Sequence, residues 1–309
     1  MGMVYCPTQA KHFLVKAPES PAGHLPSVPP DVLPVLQDQQ VMVEPNWTRQ
    51  SKLKTRIRIF PCIICTGDKL LKITNKFCIK FQNKNIINLI QDQLKLFKDC
   101  NSPCMVFAEV SGSIQGDPNR KLSTRPQMDL EESKKYYDKI SEMGKYLEDE
   151  GMPLAYHHHM GTVIETEEDT VRLLENTDDS VKLTLDTGHM LFAQGDSLKI
   201  LNDFSERLIH MHCKDIRKSV LEKSLKEDLS FRGAFLEGAF TVPGDGCIDY
   251  KPLFDILKEK NYSGWLVVEA EQDPKKANPF EFSFAIRCFS LWRIQPPQVI
   301  TEPFCRFLH

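Results

Sequence analysis

No run of 18 or more apolar residues occurs in this 309-residue sequence. A membrane-spanning helix, which needs about 20 such residues, has no candidate. The opening MGMVYCPTQAKHFLV has no basic segment followed by an apolar core and a small-residue cleavage site. The expectation is a cytoplasmic protein with no membrane partner. The sequons at Asn46 and Asn261 then carry no weight, because glycosylation needs the secretory route. The ten cysteines read as reduced thiols for the same reason. An excess of either sign of charge is missing as well: 39 Lys and Arg stand against 42 Asp and Glu, a net charge of −3. With 26% charged and 41% hydrophobic residues, a chain disordered throughout is excluded. The length allows one or two domains, or a single α/β barrel.

The composition is uneven along the chain. Nine of the 20 prolines fall within residues 1–61, and Pro18 to Pro34 reads as a mostly extended segment. Residues 49–84 carry ten Lys or Arg against one acid, Asp68. Within them Lys52–Arg58 alternates basic and non-basic residues, the period of a strand with one solvated face. This basic stretch lacks interleaved aromatics at a useful spacing, so nucleic acid is not expected as a partner. Cys62 and Cys65 with Cys100 and Cys104 have loose spacing for zinc, and Ile63–Ile64 reads as a buried strand.

From about residue 86 strands alternate with helices. Ile86, Ile87, Ile90, Leu94 and Phe97 share a helical face, and Met105–Ala108 reads as a buried strand ending at Glu109. Asp129, with Glu132 three residues on, opens a helix through Tyr136, Tyr137, Ile140, Met143 and Leu147. Gly151 and Pro153 stop it. Strand Leu154–Tyr156 runs into His157, Thr166 caps the next helix, and strand Val181–Leu185 ends at Asp186. A helix near Ser197–Phe204 leads to strand Leu208–Met211 and His212. After a long loop come helix Tyr250–Lys258, strand Trp265–Val268 ending at Glu269, and helix Phe280–Trp292.

This alternation predicts a parallel sheet covered by helices. No Gly-rich phosphate turn is present, so a barrel is preferred to an open doubly wound sheet. In a (β/α)8 barrel the strand C-termini converge, so Glu109, His157, Asp186, His212 and Glu269 would meet around one pocket. Such carboxylates and imidazoles suit Mn²⁺, Co²⁺, Fe²⁺ or Zn²⁺. Period two points His157 and His159 one way and His158 the other, and puts His210 and His212 on one face. In Asp186-Thr187-Gly188-His189 the glycine allows a sharp turn that would bring both polar side chains to the pocket; a turn with a helix cap is the plainer alternative. Lys214 and Asp215 extend the strand end after His212, or form a surface ion pair.

Six ordered segments carry a family resemblance. They are Phe107–Asp117 with Arg125-Pro126, His157–Thr162, Leu185–His189, His210–Arg217, Gly238–Gly246 and Val267–Pro274. Together they resemble the inosose dehydratases of the xylose-isomerase-like TIM-barrel superfamily, over roughly residues 86–292. The resemblance implies an incomplete (β/α)8 barrel with strands four to eight recognisable. The first three βα units are not found in residues 1–85, a divergent Pro-rich and basic region, and residues 293–309 form a tail unlike the family.

The resemblance further implies a hydro-lyase that dehydrates 2-keto-myo-inositol to a trihydroxycyclohexane dione. It implies Mn²⁺ or Co²⁺, with Zn²⁺ as an alternative and glutathione as a family cofactor. Asp186, His212 and Glu269 match the superfamily's last three metal ligands. The first falls on His157, where the superfamily usually has Glu, with His159 as its alternative. His189 or Glu109 becomes the general base, and Lys214 holds a polyol oxygen. His159, Arg217, Asp245 and Glu271 are substrate-binding candidates. A sugar isomerase or epimerase, or a non-catalytic relic of the barrel, is the alternative, and self-association stays open.

Overall fold

A computed structural model describes residues 101–269 except Ser111, together with 41–43, 57–58, 91, 94–99, 271–273 and 276–277. Helix Phe280–Trp292, Cys62, Cys65, Cys100 and the Pro-rich segment lie outside the described residues. Of the Lys52–Arg58 strand only Ile57–Arg58 is described.

Five parallel strands form the body of the sheet. They are β3 (Met105–Phe107), β4 (Leu154–His157), β5 (Val181–Asp186), β6 (Leu208–Cys213) and β9 (Trp265–Val268). Each pairs in parallel with the next in chain order. A doubly wound sheet reverses direction at a switch point; this one winds a single way, as a barrel does. Beyond β9 the sheet continues through β1 (Val41–Val43) and β2 (Ile57–Arg58), both in antiparallel pairs. A closed (β/α)8 barrel has only parallel neighbours, so this edge departs from it.

The helices follow from the sequence signals. Helix α1 (Leu130–Asp149) is opened by a reciprocal capping box between Asp129 and Glu132. Its buried Tyr136, Ile140, Met143 and Leu147 recur at three- and four-residue spacing and pack on Leu154 and Tyr156 of β4. Gly151 takes φ +72 just past its end, where a side chain would be strained. Thr166 caps α2 (Glu167–Glu175) in a second capping box. Helices α4 (Ser197–Phe204) and α7 (Tyr250–Glu259) cover the other strands through Ile200, Leu201, Tyr250, Leu253 and Leu257. Burying each such side chain contributes about 1.5–3 kcal/mol. No helix among the described residues is long and apolar enough to cross a membrane.

Of the two readings of Asp186–His189, the structure shows the helix cap: Asp186 caps a short helix, α3 (Thr187–Phe192). One place differs from the sequence reading. The connection read as a long loop contains α5 (Lys218–Lys226), α6 (Phe231–Leu236) and a two-stranded ribbon of β7 (Asp215–Ile216) and β8 (Phe240–Thr241). Their apolar residues, Ile216, Leu221, Phe231 and Phe240, join Leu122, Met160 and Phe192 in a separate small core.

Candidate metal centre and its surroundings

Sheet register brings the polar strand ends together. Asp186 sits opposite His212 across β5 and β6, and His157 is opposite Thr184 across β4 and β5. Glu269 follows the last residue of β9. The ligand atoms of His157, Asp186, His212 and Glu269 all lie within 4.8 Å of one another, and all four residues are buried. His212 Nδ1 is 2.9 Å from Glu269 Oε2 and 3.3 Å from Asp186 Oδ2. His157 Nε2 is 3.9 Å from the same Asp186 oxygen.

The donor set fits a divalent cation. Asp186 Oδ1 accepts the backbone N–H of Gly188 and of His189, each at 2.9 Å. That fixes the carboxylate and leaves Oδ2, which has no hydrogen-bond partner. Both nitrogens of buried His157 also lack one. Buried polar atoms without partners cost about 1–3 kcal/mol each, so their convergence marks a place where a cation would satisfy them. Two imidazoles and two carboxylates are donors suited to first-row divalent ions. Burial pushes the His157 imidazole well below its ordinary pKa, which keeps it neutral as a ligand must be.

Beside this set lies a second polar group. Lys214 is fully buried, not part of a surface pair. Its Nζ is 3.4 Å from Asp186 Oδ2, 3.4 Å from Glu269 Oε2 and 3.1 Å from Glu271 Oε2. Burial alone would lower the lysine pKa, but these three carboxylates outweigh it and hold it raised. Burial likewise pushes up the Asp186 and Glu271 carboxyls, and the Lys214 ammonium overcomes it in both. His189 Nε2 lies 3.0 Å from Lys214 Nζ, and burial holds that imidazole neutral. His159 Nε2 is 3.8 Å from Glu271 Oε1, and its Nδ1 is 2.8 Å from the Met160 carbonyl.

Local folding sets these positions. Thr187 Oγ1 donates to the Lys214 carbonyl at 2.8 Å and lies 2.9 Å from the Tyr250 hydroxyl, pinning the backbone under Lys214. His158 faces the other way, and its Nε2 accepts the Asp186 N–H at 3.2 Å. Burial lowers the His158 pKa to about 4. His210 shares a face with His212, ring centroids 5.3 Å apart, and stands 3.8 Å from the Cys104 thiol. Asp215, also fully buried, accepts N–H groups from Ile216, Gly244 and Ile248, so it shapes the loop after β8.

Three of the sequence candidates lie outside the candidate metal groups. Glu109 is buried but is not one of the cluster, and its charge is felt at Tyr156. Arg217 and Asp245 pair with each other at 2.6 Å, and Asp245 also accepts from Thr241. That half-exposed pair ties the start of α5 to the loop after β8 instead of entering the buried cluster. The sequence reading missed Phe231, whose ring lies 5.6 Å from that of His159 and 6.0 Å from that of His189. The Ser230 cap before a phenylalanine was the available signal.

A family model for the xylose isomerase-like TIM barrel matches residues 80–288. An inosose dehydratase of Clostridium beijerinckii is 46% identical over 185 residues, covering 59% of this chain and 62% of that protein. An inosose dehydratase of Lactiplantibacillus plantarum is 44% identical over 188 residues, 60% of this chain and 63% of that protein. The rhizopine catabolism protein MocC of Rhizobium meliloti is 40% identical over 194 residues, 63% of this chain and 60% of that protein. The chain therefore spans about three-fifths of the length of the curated relatives it matches. Among solved structures, the IOLI protein with a binding zinc atom superposes with a TM-score of 0.50 at 18% identity. That match covers 74% of this chain and 81% of the other, and it speaks to fold alone.

Proposed function

The chain belongs to the xylose isomerase-like TIM-barrel family, and we propose that its strand-end site removes water from a keto-inositol, 2-keto-myo-inositol, with a divalent ion held by His157, Asp186, His212 and Glu269. The observation that carries this reading is the convergence of those four buried residues, with Lys214, His189 and Glu271 against them, in a chain 40–46% identical to inosose dehydratases and a rhizopine catabolism protein.

Dehydration beside a ketone needs a base for the adjacent C–H and an acid for the departing hydroxyl. A bound divalent ion supplies Lewis acidity that stabilises the enolate. His189, neutral and buried beside the ion-binding set, is the base on this reading. Glu109, buried but outside the candidate metal groups, is the alternative base. Lys214, kept charged by three carboxylates, donates to a polyol oxygen and is placed to give the leaving hydroxyl its proton. The electron pair of the broken C–H bond becomes the new C=C bond as water leaves. His159 and Glu271 offer hydrogen bonds to further hydroxyls. Arg217 and Asp245, with the loop they hold, shape the rim.

We assign Mn²⁺ or Co²⁺ as the working ion and the cytoplasm as the compartment, with glutathione as an addition to assay. Metal analysis of purified, folded protein and a dehydration assay on 2-keto-myo-inositol test the proposal. Bound metal with dione product is the expected result, and Asp186→Ala should abolish both. Folded protein that takes up no divalent ion would sink it. Epimerised sugar in place of dione would favour the isomerase reading. His157, standing where that superfamily usually has Glu, weighs against that outcome.

A further inference from the structure

His157 belongs to two overlapping sets of ligand atoms. Besides the four-residue set, one ligand atom each of His157, His159 and His189 lies within 4.8 Å of the others, and all three residues are buried. The His159 and His189 rings are 3.8 Å apart, and each is within 5.5 Å of the His157 ring.

Three observations point to a ligand in this second set. Both nitrogens of His157 and Nδ1 of His189 are buried without a hydrogen-bond partner. His159 Nδ1 sits 2.8 Å from the Met160 carbonyl. An N–H donated there holds the ring in place, as backbone carbonyls commonly do for metal-binding histidines. Glu271 lies close to both, 3.8 Å from His159 Nε2 and 3.6 Å from His189 Nε2, and supplies negative charge beside the three imidazoles.

We propose that the chain offers a divalent ion two alternative seats that share His157, and that nitrogen-preferring ions such as Zn²⁺ occupy the three-histidine seat. The inference rests on the proposed reading of the four-residue set as the working site. The two seats differ in chemistry. One has two carboxylates and two imidazoles and suits Mn²⁺; the other presents imidazoles alone and suits Zn²⁺. An ion on the second seat takes His189 from its role as base. It also displaces the Lys214 ammonium from His189 Nε2, and Lys214 then turns to Asp186, Glu269 and Glu271. The identity of the bound ion thus sets whether the site is working or blocked.

The test is equilibrium binding of Mn²⁺ and of Zn²⁺ to the full chain, read by Mn²⁺ paramagnetic resonance and by metal analysis after dialysis. The variants are Glu269→Gln, His159→Ala and His159→Gln. Losing a ligand or its support changes affinity by about tenfold or more. His159→Ala should weaken Zn²⁺ by about tenfold and leave Mn²⁺ affinity unchanged. Glu269→Gln should do the reverse. His159→Gln guards against a folding defect, and thermal melts of all variants accompany the binding. Zn²⁺ affinity that is insensitive to His159 but falls with Glu269→Gln overturns the second seat. Mn²⁺ affinity untouched by Glu269→Gln would instead remove the reading of the four-residue set, whatever Zn²⁺ does.

Discussion

The backbone of Gly188 lies against the stem of Lys214: a Cβ at position 188 would meet Lys214 Cγ at 2.7 Å, its Cβ at 2.9 Å and its Cδ at 3.0 Å. Glycine is required here for a close approach, with the chain in a helix and no left-handed φ. The lysine is clamped from the other side by three carboxylates, so its stem has little room to retreat. Gly188→Ala should therefore shift Lys214 and cost about 1–3 kcal/mol, as overpacking does. Turnover should fall more than Mn²⁺ affinity, because Lys214 is not among the four proposed ligands. Thermal melts, metal binding and the dehydration assay measured together check this. Equal losses of metal affinity and turnover would mean that the clash spreads to the metal set.

Lys214 is the cation that balances Asp186, Glu269 and Glu271 in a buried site. Removing one partner of a buried ionic group leaves uncompensated charge, at a cost of about 3–5 kcal/mol. Lys214→Met should destabilise the ion-free protein by about that much. A divalent ion supplies positive charge to two of the same carboxylates, so saturating Mn²⁺ should shrink the deficit. Denaturant unfolding of both proteins with and without Mn²⁺ measures it. A deficit that stays the same in both conditions would show that packing of the lysine stem, not its charge, is what matters.

A pH effect is expected away from the site. Asp178 accepts the Ser180 N–H at 3.1 Å and pairs with Lys145 at 3.0 Å. The Ser180 hydrogen bond, then Lys145, lowers its pKa from 3.8 to about 2. A carboxyl depressed by folding stabilises the fold above its unfolded pKa, and the benefit fades as pH falls through the folded value. Asp178→Asn should therefore melt lower than the parent near pH 6, with the gap closing between pH 3.8 and about 2. A gap constant down to pH 2 would assign the effect to the lost carboxylate shape instead of its charge.

Much of the site was legible because strand ends are legible. Short apolar runs that stop at a polar residue gave His157, Asp186, His212 and Glu269, and the register of β5 on β6 sets Asp186 beside His212. The helices at Leu130 and Glu167 were readable from their caps, Asp129 and Thr166. Helix α5 was not readable, since Arg217 at its start makes no side-chain cap. Helix α6 is only six residues long, too short for a periodic signal. The burial of Lys214 was hidden for a physical reason. Lysine is almost never fully buried unless paired, and its three carboxylate partners come from distant positions that only the fold brings together. Arg217 and Asp245 carry pocket-like chemistry in sequence, but their mutual attraction satisfies them at the rim.

Two loops are joined beside the small core that holds Leu122 and Phe231. The segment after β3 and the turn between α5 and α6 are joined by the Leu122 N–H on the Leu229 carbonyl at 3.0 Å. Ser123 donates its N–H to Asp228 Oδ1 at 2.9 Å and its hydroxyl to Asp228 Oδ2 at 2.7 Å. Phe231 follows this clasp in the chain and its ring lies against those of His159 and His189, while Lys214, Asp186 and His212 are buried. Asp228 holds φ +48, a conformation that asparagine also tolerates. Asp228→Asn keeps one acceptor oxygen and should leave the clasp largely closed, whereas Asp228→Ala removes both bonds. Amide hydrogen exchange at residues 122–124 and 228–231 should quicken in Asp228→Ala and stay near the parent rate in Asp228→Asn. Exchange in β4 and β5 should not change in either, because their cores do not touch the clasp. If both variants exchange at the parent rate in all segments, the Ser123–Asp228 bonds do not hold the loops together, and the Leu122–Leu229 backbone bond and the small core around Phe231 do so instead.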